Sequence, residues 1–427
     1  PLSLGTNPYY PGAMVSDPGD LIRRHRTAEA TVTITAGGSP VADREVVVAQ
    51  RSHAFRFGCI GFDLIDLANG TVGAGADRDL AERMAGHWFE LFNFATLPFY
   101  WGRFEPVRGR PDTTRLLTAA RWFTERGCPV KGHPLAWHTV TADWLMELPN
   151  VDIAAAQVER IQREVKGFAG LVDAWDVINE VVIMPIFDRY DNGITRICRD
   201  LGRIQMVRMV FDTAREANPG ATLLLNDFDM SAAYECLIEG VLAAGIQIDA
   251  IGLQSHMHQG YWGEAHTLDV IDRFARFGVP IHFTETTLVS GQLMPPEIVD
   301  LNDYQVEAWP STPDGEQRQA DEVVRHVRTL LSHPAVQAMT YWGLADGGWL
   351  GAPGGLVRAD GTPKPAYQAL HQLIKGEWWL APTTLRTDAA GQVSFGGFLG
   401  DYDLTVAGHT TGLRLDHPGT AAVSVAL

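Results

Sequence analysis

Basic residues are scarce in this sequence. Its 427 residues include 34 Lys and Arg against 51 Asp and Glu, which gives a formal net charge of -17 at pH 7. A nucleic-acid partner requires a basic face, and an anionic membrane attracts basic segments. The charge balance therefore argues against both partners and is compatible with a neutral or basic ligand.

A long apolar run is also missing, although 46% of the residues are hydrophobic. No stretch approaches the roughly 18 unbroken apolar residues that a membrane helix needs, so we expect no membrane insertion. The chain starts at Pro1 without a signal peptide. A starting Pro suggests a processed product, so this feature is not evidence for a cytoplasmic location.

Cysteine is the third scarce feature. The four cysteines are Cys59, Cys128, Cys198 and Cys236. They contain no CxxC pair, which disfavours a zinc knuckle, and they are too few for a disulfide scaffold. One bridge stays open as an alternative, but we expect four buried thiols.

Three segments differ in their patterns. Residues 1–54 contain a Pro-, Gly- and Asp-rich stretch (1–26), predicted to be an arm, and then ATVTITAGGSPVADREVVVAQ (30–50), predicted to be a β-hairpin around its Gly-Gly-Ser-Pro turn. Residues 377–427 alternate apolar and polar residues without a helical pattern, which predicts a small β domain able to pair with the hairpin. The middle segment, residues 55–376, has a third residue pattern.

In this middle segment, eight short apolar runs alternate with eight amphipathic helical patterns. The apolar runs are FRFGCIGF, FNFATL, VKGHPLAW, VDAWDVIN, ATLLLND, IDAIGLQS, VPIHFTE and QAMTYWGL. Continuous apolar strands are typical of a parallel sheet that is covered on both faces. The count and length predict an α/β fold, a (β/α)8 TIM barrel. A doubly wound open sheet is the alternative, but FGCIGFDL is a poor phosphate loop.

Polar and aromatic residues recur where these runs end, and in such a barrel the carboxyl ends of the strands carry the chemistry. They are Thr96, Tyr100, His133, His138, Asn179, Glu180, Asn226, Asp227, Gln254, His256, Glu285 and Trp342. Glu180 ends the fourth run and Glu285 the seventh, so the two carboxylates should face each other across the mouth. Two opposed carboxylates suit glycosidic bond cleavage, one as a proton donor and one as a nucleophile.

Five segments, in chain order, resemble glycoside hydrolase family 10, the retaining endo-β-1,4-xylanase family. They are GHPLAWH (132–138), WDVINE (175–180), IGLQSHMH (251–258), HFTE (282–285) and YWGLADGGWL (341–350). The resemblance implies Glu180 as the acid/base and Glu285 as the nucleophile. The substrate contacts that it implies are His133, Trp137, Asn179, Gln254, His256, Trp342 and Trp349, to which we add Tyr100 at the mouth.

The resemblance also implies a secreted enzyme that acts on a carbohydrate or glycoside. The chemistry of two carboxylates requires no cofactor and no metal, and we expect a monomer. The sequence departs from the family pattern in two places, one in the binding site for the glycone and one beside the nucleophile. In TLPFYWGRFEP (96–106), Thr96, Leu97 and Tyr100 stand where Glu, Asn and Lys are expected, and Thr287 replaces an Asp after the nucleophile. We therefore expect intact reaction machinery and a rebuilt binding site for the glycone.

Three alternatives remain at this point. A hydrolase of plant oligosaccharide glycosides, like the tomatinases that deglycosylate saponins, fits the rebuilt glycone site. A metal-dependent barrel hydrolase is the second alternative and would use His133, His138, His256, His258 and Asp227. A barrel that binds sugar without catalytic activity is the third. The long segment 289–316 after Glu285 is expected to wall the active site, with Trp309 as a candidate contact for an aglycone.

Overall fold

The computed structural model describes residues 17–427, so most of the predicted arm lies outside the described residues. Its last part is not an arm but helix α1 (Pro18–Arg26). Asp17 caps this helix by accepting a hydrogen bond from the Gly19 amide, and Pro18 occupies the first helical position, where its missing N–H costs nothing. Strands β1 (Thr27–Ala36), β2 (Ser39–Pro40) and β3 (Glu45–His53) follow.

A closed barrel of eight parallel strands comes next, which confirms the predicted fold class. Its strands, neighbours in chain order around the ring, are β4 (Arg56–Ile60), β5 (Phe94–Pro98), β6 (Val130–His133), β7 (Val172–Asn179), β8 (Thr222–Asp227), β9 (Ala250–Met257), β10 (Ile281–Leu288) and β11 (Val336–Tyr341). Most of their residues are buried, as expected for strands whose inner face lines the barrel and whose outer face is covered by helices.

The helices of this part coincide with the eight predicted amphipathic patterns and include three additional short ones. They are α2 (Ile65–Ala68), α3 (Ala76–Leu91), α4 (Trp101–Phe104), α5 (Thr113–Thr124), α6 (Asn150–Gly167), α7 (Gly193–Leu201), α8 (Arg203–Ala217), α9 (Ala232–Ala243), α10 (Glu264–Ala275), α11 (Pro313–Ser332) and α12 (Pro365–His371). Short 3-10 turns lie at Phe62–Leu64, Asp143–Glu147, Met184–Ile186, Leu301–Asp303 and Trp349–Gly351, and a π-helix at Gln372–Glu377. No helix within residues 17–427 has the length and apolarity to span a membrane.

The C-terminal segment forms β12 (Thr383–Arg386), β13 (Gln392–Phe398), β14 (Gly400–Val406), β15 (His409–Leu415) and β16 (Gly419–Ala426). Strand β1 pairs with β13 and β16, and β3 pairs with β12 in a second sheet. Residues 17–51, 331–334 and 381–427 form one compact unit, and residues 52–330 with 335–380 form another.

The expected long hairpin between β1 and β3 is wrong. Only the two residues of β2 fold back on β1, after Gly37 and Gly38 at φ of 58° and 81°, and β3 belongs to the other sheet. The alternating pattern shows that each strand buries one face, but it does not specify the partner strand.

The expectation of four buried thiols is wrong for one position. All four cysteines are free, and Cys59, Cys128 and Cys198 are buried, but Cys236 is exposed on α9. It lies two residues beyond the buried Tyr234, which on a helix turns the side chain away from the core-facing stripe.

Candidate active site

Glu180 follows the last residue of β7 in an unusual backbone conformation. Its φ is 58°, in the left-handed region that residues other than glycine rarely adopt. Its amide donates to the Asn226 carbonyl oxygen (2.8 Å), and two residues later the Val182 amide donates to Asp227 Oδ2 (3.0 Å). The end of β8 therefore holds the strained segment and aims the Glu180 side chain.

Glu285 lies within β10, three residues before the strand ends, and is 5% exposed. Its Oε2 atom is 3.0 Å from His256 Nε2, and its Oε1 atom accepts a hydrogen bond from Asn226 Nδ2 (3.0 Å). His133 Nε2 lies 3.9 Å from Oε1. The carboxylate is thus held by side chains from three other strands.

A chain of amides connects the two carboxyl groups. Glu180 Oε1 accepts hydrogen bonds from Asn179 Nδ2 (3.1 Å) and Gln254 Nε2 (3.2 Å). The Nδ2 group of Asn226 donates to Asn179 Oδ1 (2.7 Å) as well as to Glu285. Asn226 is fully buried and joins both halves of the site, a role that its place at a strand end did not reveal. A glycine faces it, since a Cβ at Gly252 would lie 2.4 Å from Asn226 Oδ1.

The environments of the two carboxyl groups shift their pKa values in opposite directions. Burial raises the pKa of Glu180 to about 8, and the negative charge of Glu285 adds to this, while the hydrogen bond from Trp137 opposes it. Burial also favours neutral Glu285, but His133 and His256 outweigh it and hold the pKa of Glu285 below its usual value. At neutral pH the site therefore contains one protonated and one ionised carboxyl group.

Aromatic rings flank Glu180 on the side of β5 and β6. Trp137 donates its indole N–H to Glu180 Oε2 (2.8 Å). The Tyr100 ring lies 5.7 Å from the Trp137 ring and 5.6 Å from the His133 ring. Tyr100 is half-buried, whereas Thr96 and Leu97 are fully buried. Of the three altered positions in and after β5, only Tyr100 thus reaches the mouth.

Two further tryptophans stand over the histidines. The Trp342 ring is 5.1 Å from His133 and the Trp349 ring is 4.6 Å from His256. Phe62, which the sequence did not single out, packs edge-on against Trp342 (5.9 Å). All ten predicted site residues therefore surround the mouth of the barrel.

Three other candidate site residues are held by packing or hydrogen bonds within the protein. His138 is buried against Phe187 (4.5 Å between rings), and burial lowers its pKa to about 4, which keeps it neutral. The carboxylate of Asp227 accepts hydrogen bonds from backbone amides. Trp309, the candidate contact for an aglycone, is 8% exposed, and its indole N–H donates to the Gln292 carbonyl oxygen (2.8 Å).

His256 Nδ1 lies 3.1 Å from the Thr287 hydroxyl, at the position where an Asp was expected. A hydroxyl group can donate or accept a hydrogen bond, whereas the carboxylate expected at this position could only accept one. No cluster of three or more His, Cys, Asp or Glu suited to a metal ion occurs among residues 17–427. The metal-dependent alternative therefore finds no ligand set in the part of the chain that the structure describes.

A buried ion pair supports the site from below. Lys131 Nζ donates to Asp176 Oδ2 (2.6 Å), which also accepts a hydrogen bond from His133 Nδ1 (2.8 Å). The side chains of Lys131 and Asp176 are 1% and 0% exposed. Burial raises the pKa of Asp176, but Lys131 and His133 outweigh it, so the carboxyl group is ionised and orients the imidazole.

Replacing Lys131 with Met is expected to lower the free energy of unfolding at pH 7 by about 3–5 kcal/mol, because Asp176 would remain buried without its cation. Urea unfolding followed by circular dichroism measures this loss. The matched control is Lys166→Met at an exposed position near the end of α6, where we expect a change of less than about 0.5 kcal/mol. Equal losses in the two variants would contradict the assignment.

Comparisons with known proteins agree on one family. The sequence model of glycosyl hydrolase family 10 matches residues 99–373. Endo-1,4-beta-xylanase 3 of Hypocrea jecorina is 27% identical over 288 residues, which cover 64% of this chain and 73% of that protein. The endo-1,4-beta-xylanase/feruloyl esterase of Xylanibacter ruminicola is 27% identical over 299 residues, which cover 61% of this chain and 39% of that protein. The match thus spans well under half of the latter's length.

The fold agrees as well. The crystal structure of xylanase 10B from Thermotoga petrophila, in complex with xylobiose, superimposes with a TM-score of 0.61 at 22% sequence identity. The superposition covers 76% of this chain and 95% of that chain.

Proposed function

Because the chain belongs to glycosyl hydrolase family 10, we propose that it hydrolyses β-glycosidic bonds in xylan-like or related glycans with retention of configuration. The observation that carries the proposal is the pair Glu180 and Glu285, two carboxyl groups with opposite pKa shifts at the mouth of one barrel. A carbohydrate polymer of this kind is met outside the cell, so the proposal includes secretion. It also includes action as a monomer.

The proposed reaction has two steps. Ionised Glu285 attacks the anomeric carbon while protonated Glu180 gives its proton to the departing oxygen, which forms a covalent glycosyl-enzyme and releases the aglycone. Glu180, now ionised, then removes a proton from water as the water attacks the same carbon. This second step frees Glu285 and returns the proton to Glu180.

The surrounding residues would bind and orient the sugar. Asn179 uses one hydrogen of its Nδ2 group on Glu180, and the second is available for the sugar 2-hydroxyl. His133 would contact the same sugar, and Gln254 and His256 would orient the two carboxylates. Trp137, Trp342, Trp349 and Tyr100 would supply the ring surfaces of the cradle.

The glycone site supports a narrower proposal. The two altered residues Thr96 and Leu97 are fully buried and offer no exposed polar group, and Tyr100 offers a phenol in place of a cation. A lost charge-assisted hydrogen bond is worth about 1.5–3 kcal/mol. Plant oligosaccharide glycosides, including saponins, are therefore candidate substrates besides xylan.

The experiment is product release from β-1,4-xylan and from aryl β-xylosides and β-glucosides, with the Glu285→Gln protein as the blank. Glu285-dependent release of xylobiose and longer products would support a working xylose subsite at Tyr100. Turnover of an aryl glycoside without turnover of xylan would support the plant glycosides. No Glu285-dependent hydrolysis of any β-glycoside would refute the proposed function.

A further inference from the structure

The order of the strands separates the two sides of the mouth. Glu180 follows β7 and Glu285 lies in β10, and on one side of the ring β8 and β9 lie between these two strands. The other side contains β5, and the three altered glycone positions lie in this strand (Thr96 and Leu97) or just after it (Tyr100). The arc above β8 and β9 is therefore the aglycone side, and a contact between the segments that follow β7 and β10 must cross it.

Such a contact exists and is made of three charged side chains. Arg189, in the segment after β7, donates from Nη1 and Nη2 to the two carboxylate oxygens of Asp303 (2.9 Å each). Its Nη2 atom also lies 3.0 Å from Asp300 Oδ2. Both aspartates belong to the segment after β10. We call Arg189, Asp300 and Asp303 the Arg189 bridge.

The segment after β7 is fixed to the barrel on its outer side. Arg199 donates from Nε to the Pro185 carbonyl oxygen (2.7 Å) and from Nη2 to that of Phe187 (3.0 Å). Arg203 donates from Nε to the Val182 carbonyl oxygen (2.9 Å). Arg189 therefore extends from a backbone that α7 and α8 hold in place.

The segment after β10 is equally well supported. Gln259, just past β9, donates to the carbonyl oxygens of Pro295 (2.9 Å) and Ile298 (2.8 Å), so the segment leans over β9. Its residues Val289, Met294 and Trp309 form a small apolar core together with Ala352, which follows β11. The two aspartates thus belong to a supported segment that extends over the end of β9 and reaches Arg189 in the segment after β7.

Ring contacts connect this segment to the site. The Trp309 ring lies 6.0 Å from His258, which lies 5.1 Å from Trp349, the residue that packs on His256. On the facing side, Tyr190 follows Arg189 and packs on Phe187 (4.9 Å). Phe187 packs in turn on His138 (4.5 Å between rings), which directly follows Trp137, the residue that donates to Glu180, so this end of the bridge is connected to the acid.

We infer that the Arg189 bridge closes the aglycone side of the cleft, so that the enzyme prefers a short or compact leaving group to a long chain. The inference rests on the proposed function. A continuous polysaccharide must leave the cleft on both sides of the bond that is cut, whereas an aryl group or a single sugar does not have to extend past the bridge. The bridge is exposed to solvent, so it selects among substrates without being part of the reaction.

The test compares kcat/KM for soluble β-1,4-xylan with kcat/KM for an aryl β-xylobioside. In Arg189→Ala the ratio of polymer to aryl substrate should rise by about fivefold, which is the most that one exposed ion pair shifts an equilibrium. The aryl value should stay unchanged. The double variant Arg189→Asp, Asp303→Arg restores opposite charges and should return the ratio to that of the wild type.

Arg276→Ala is the matched control. Arg276 also pairs with two carboxylates, Glu239 (2.7 Å) and Glu235 (3.1 Å), and its side chain is 47% exposed against 44% for Arg189, but it lies at the far end of α10 from the mouth. It should leave the ratio unchanged. Raising NaCl to about 1 M shortens the Debye length to about 3 Å and should raise the wild-type ratio but not that of Arg189→Ala.

An unchanged ratio in Arg189→Ala, with aryl hydrolysis intact and dependent on Glu285, would overturn the bridge inference and leave the proposed function standing. An equal rise in Arg276→Ala would overturn it in the same way. If the wild type hydrolyses neither substrate, the proposed function fails for xylosides and the inference falls with it.

Discussion

Replacing Glu285 with Gln should lower kcat/KM by about 10⁴-fold or more, on aryl and sugar leaving groups alike, because the amide cannot form the covalent intermediate. Initial rates with an aryl β-glycoside measure this loss. Glu105→Gln is the control, since Glu105 is also a buried carboxyl group (3% exposed) but pairs with Arg163. We expect this control to retain its activity.

Azide distinguishes a nucleophile from a residue that only shapes the site. In Glu285→Ala, azide can occupy the vacated space and attack the anomeric carbon once, so activity should return with an α-glycosyl azide as the product. A β-glycosyl azide from this variant, or a loss of activity similar to that of Glu105→Gln, would contradict the role assigned to Glu285.

The second large effect concerns Glu180. Glu180→Gln should lower kcat/KM by about 10²–10⁴-fold for an oligosaccharide, whose leaving oxygen needs a proton. An activated aryl glycoside needs little proton donation, so its loss should be much smaller. Equal losses on both substrates would argue against Glu180 as the proton donor.

The pH profile gives an independent test of the same assignment. Glu180 must be protonated, and burial raises its pKa to about 8, so kcat/KM for the oligosaccharide should fall as the pH rises through about 8. Glu285 must be ionised, and its pKa lies below the usual value, so activity should persist at mildly acidic pH. The alkaline limb should be absent from Glu180→Gln.

The barrel and its carboxylates were predictable because both follow from periodic features of the sequence. Strands covered on both faces leave continuous apolar runs, such as ATLLLND, and polar residues at the ends of such runs gather at one rim. Glu180 and Glu285 are two such residues. The family resemblance supplied the roles of the residues around them.

Interactions between polar residues on different strands were not predictable. Lys131 and Asp176 each interrupt an apolar strand, and two opposite charges in neighbouring buried strands are a signal for an ion pair between them. Asn226 looked like an ordinary strand end, because its part in joining the two carboxylates depends on a glycine in the next strand. A hydrogen bond between side chains on different strands produces no periodic pattern in the sequence.

Contacts between residues far apart in the sequence were also not predictable. The alternating residues of β3 predicted a strand but not its sheet, and nothing in the sequence links Arg189 to an aspartate more than 100 residues away. Trp309 lies in a long polar segment, and the sequence did not show that it packs with Val289, Met294 and the distant Ala352 in a small apolar core.

The most direct test of the account is to trap the glycosyl-enzyme and find the labelled residue. The reagent is a 2-deoxy-2-fluoro β-glycoside, with an activated leaving group, of the sugar that the wild type hydrolyses. The fluorine slows both steps, and the activated leaving group restores the rate of the first step only, so the glycosyl-enzyme accumulates. Mass spectrometry of the digested protein should then locate the sugar on Glu285. A label on Glu180 or on another residue, or continued turnover without any adduct, would contradict the proposed mechanism.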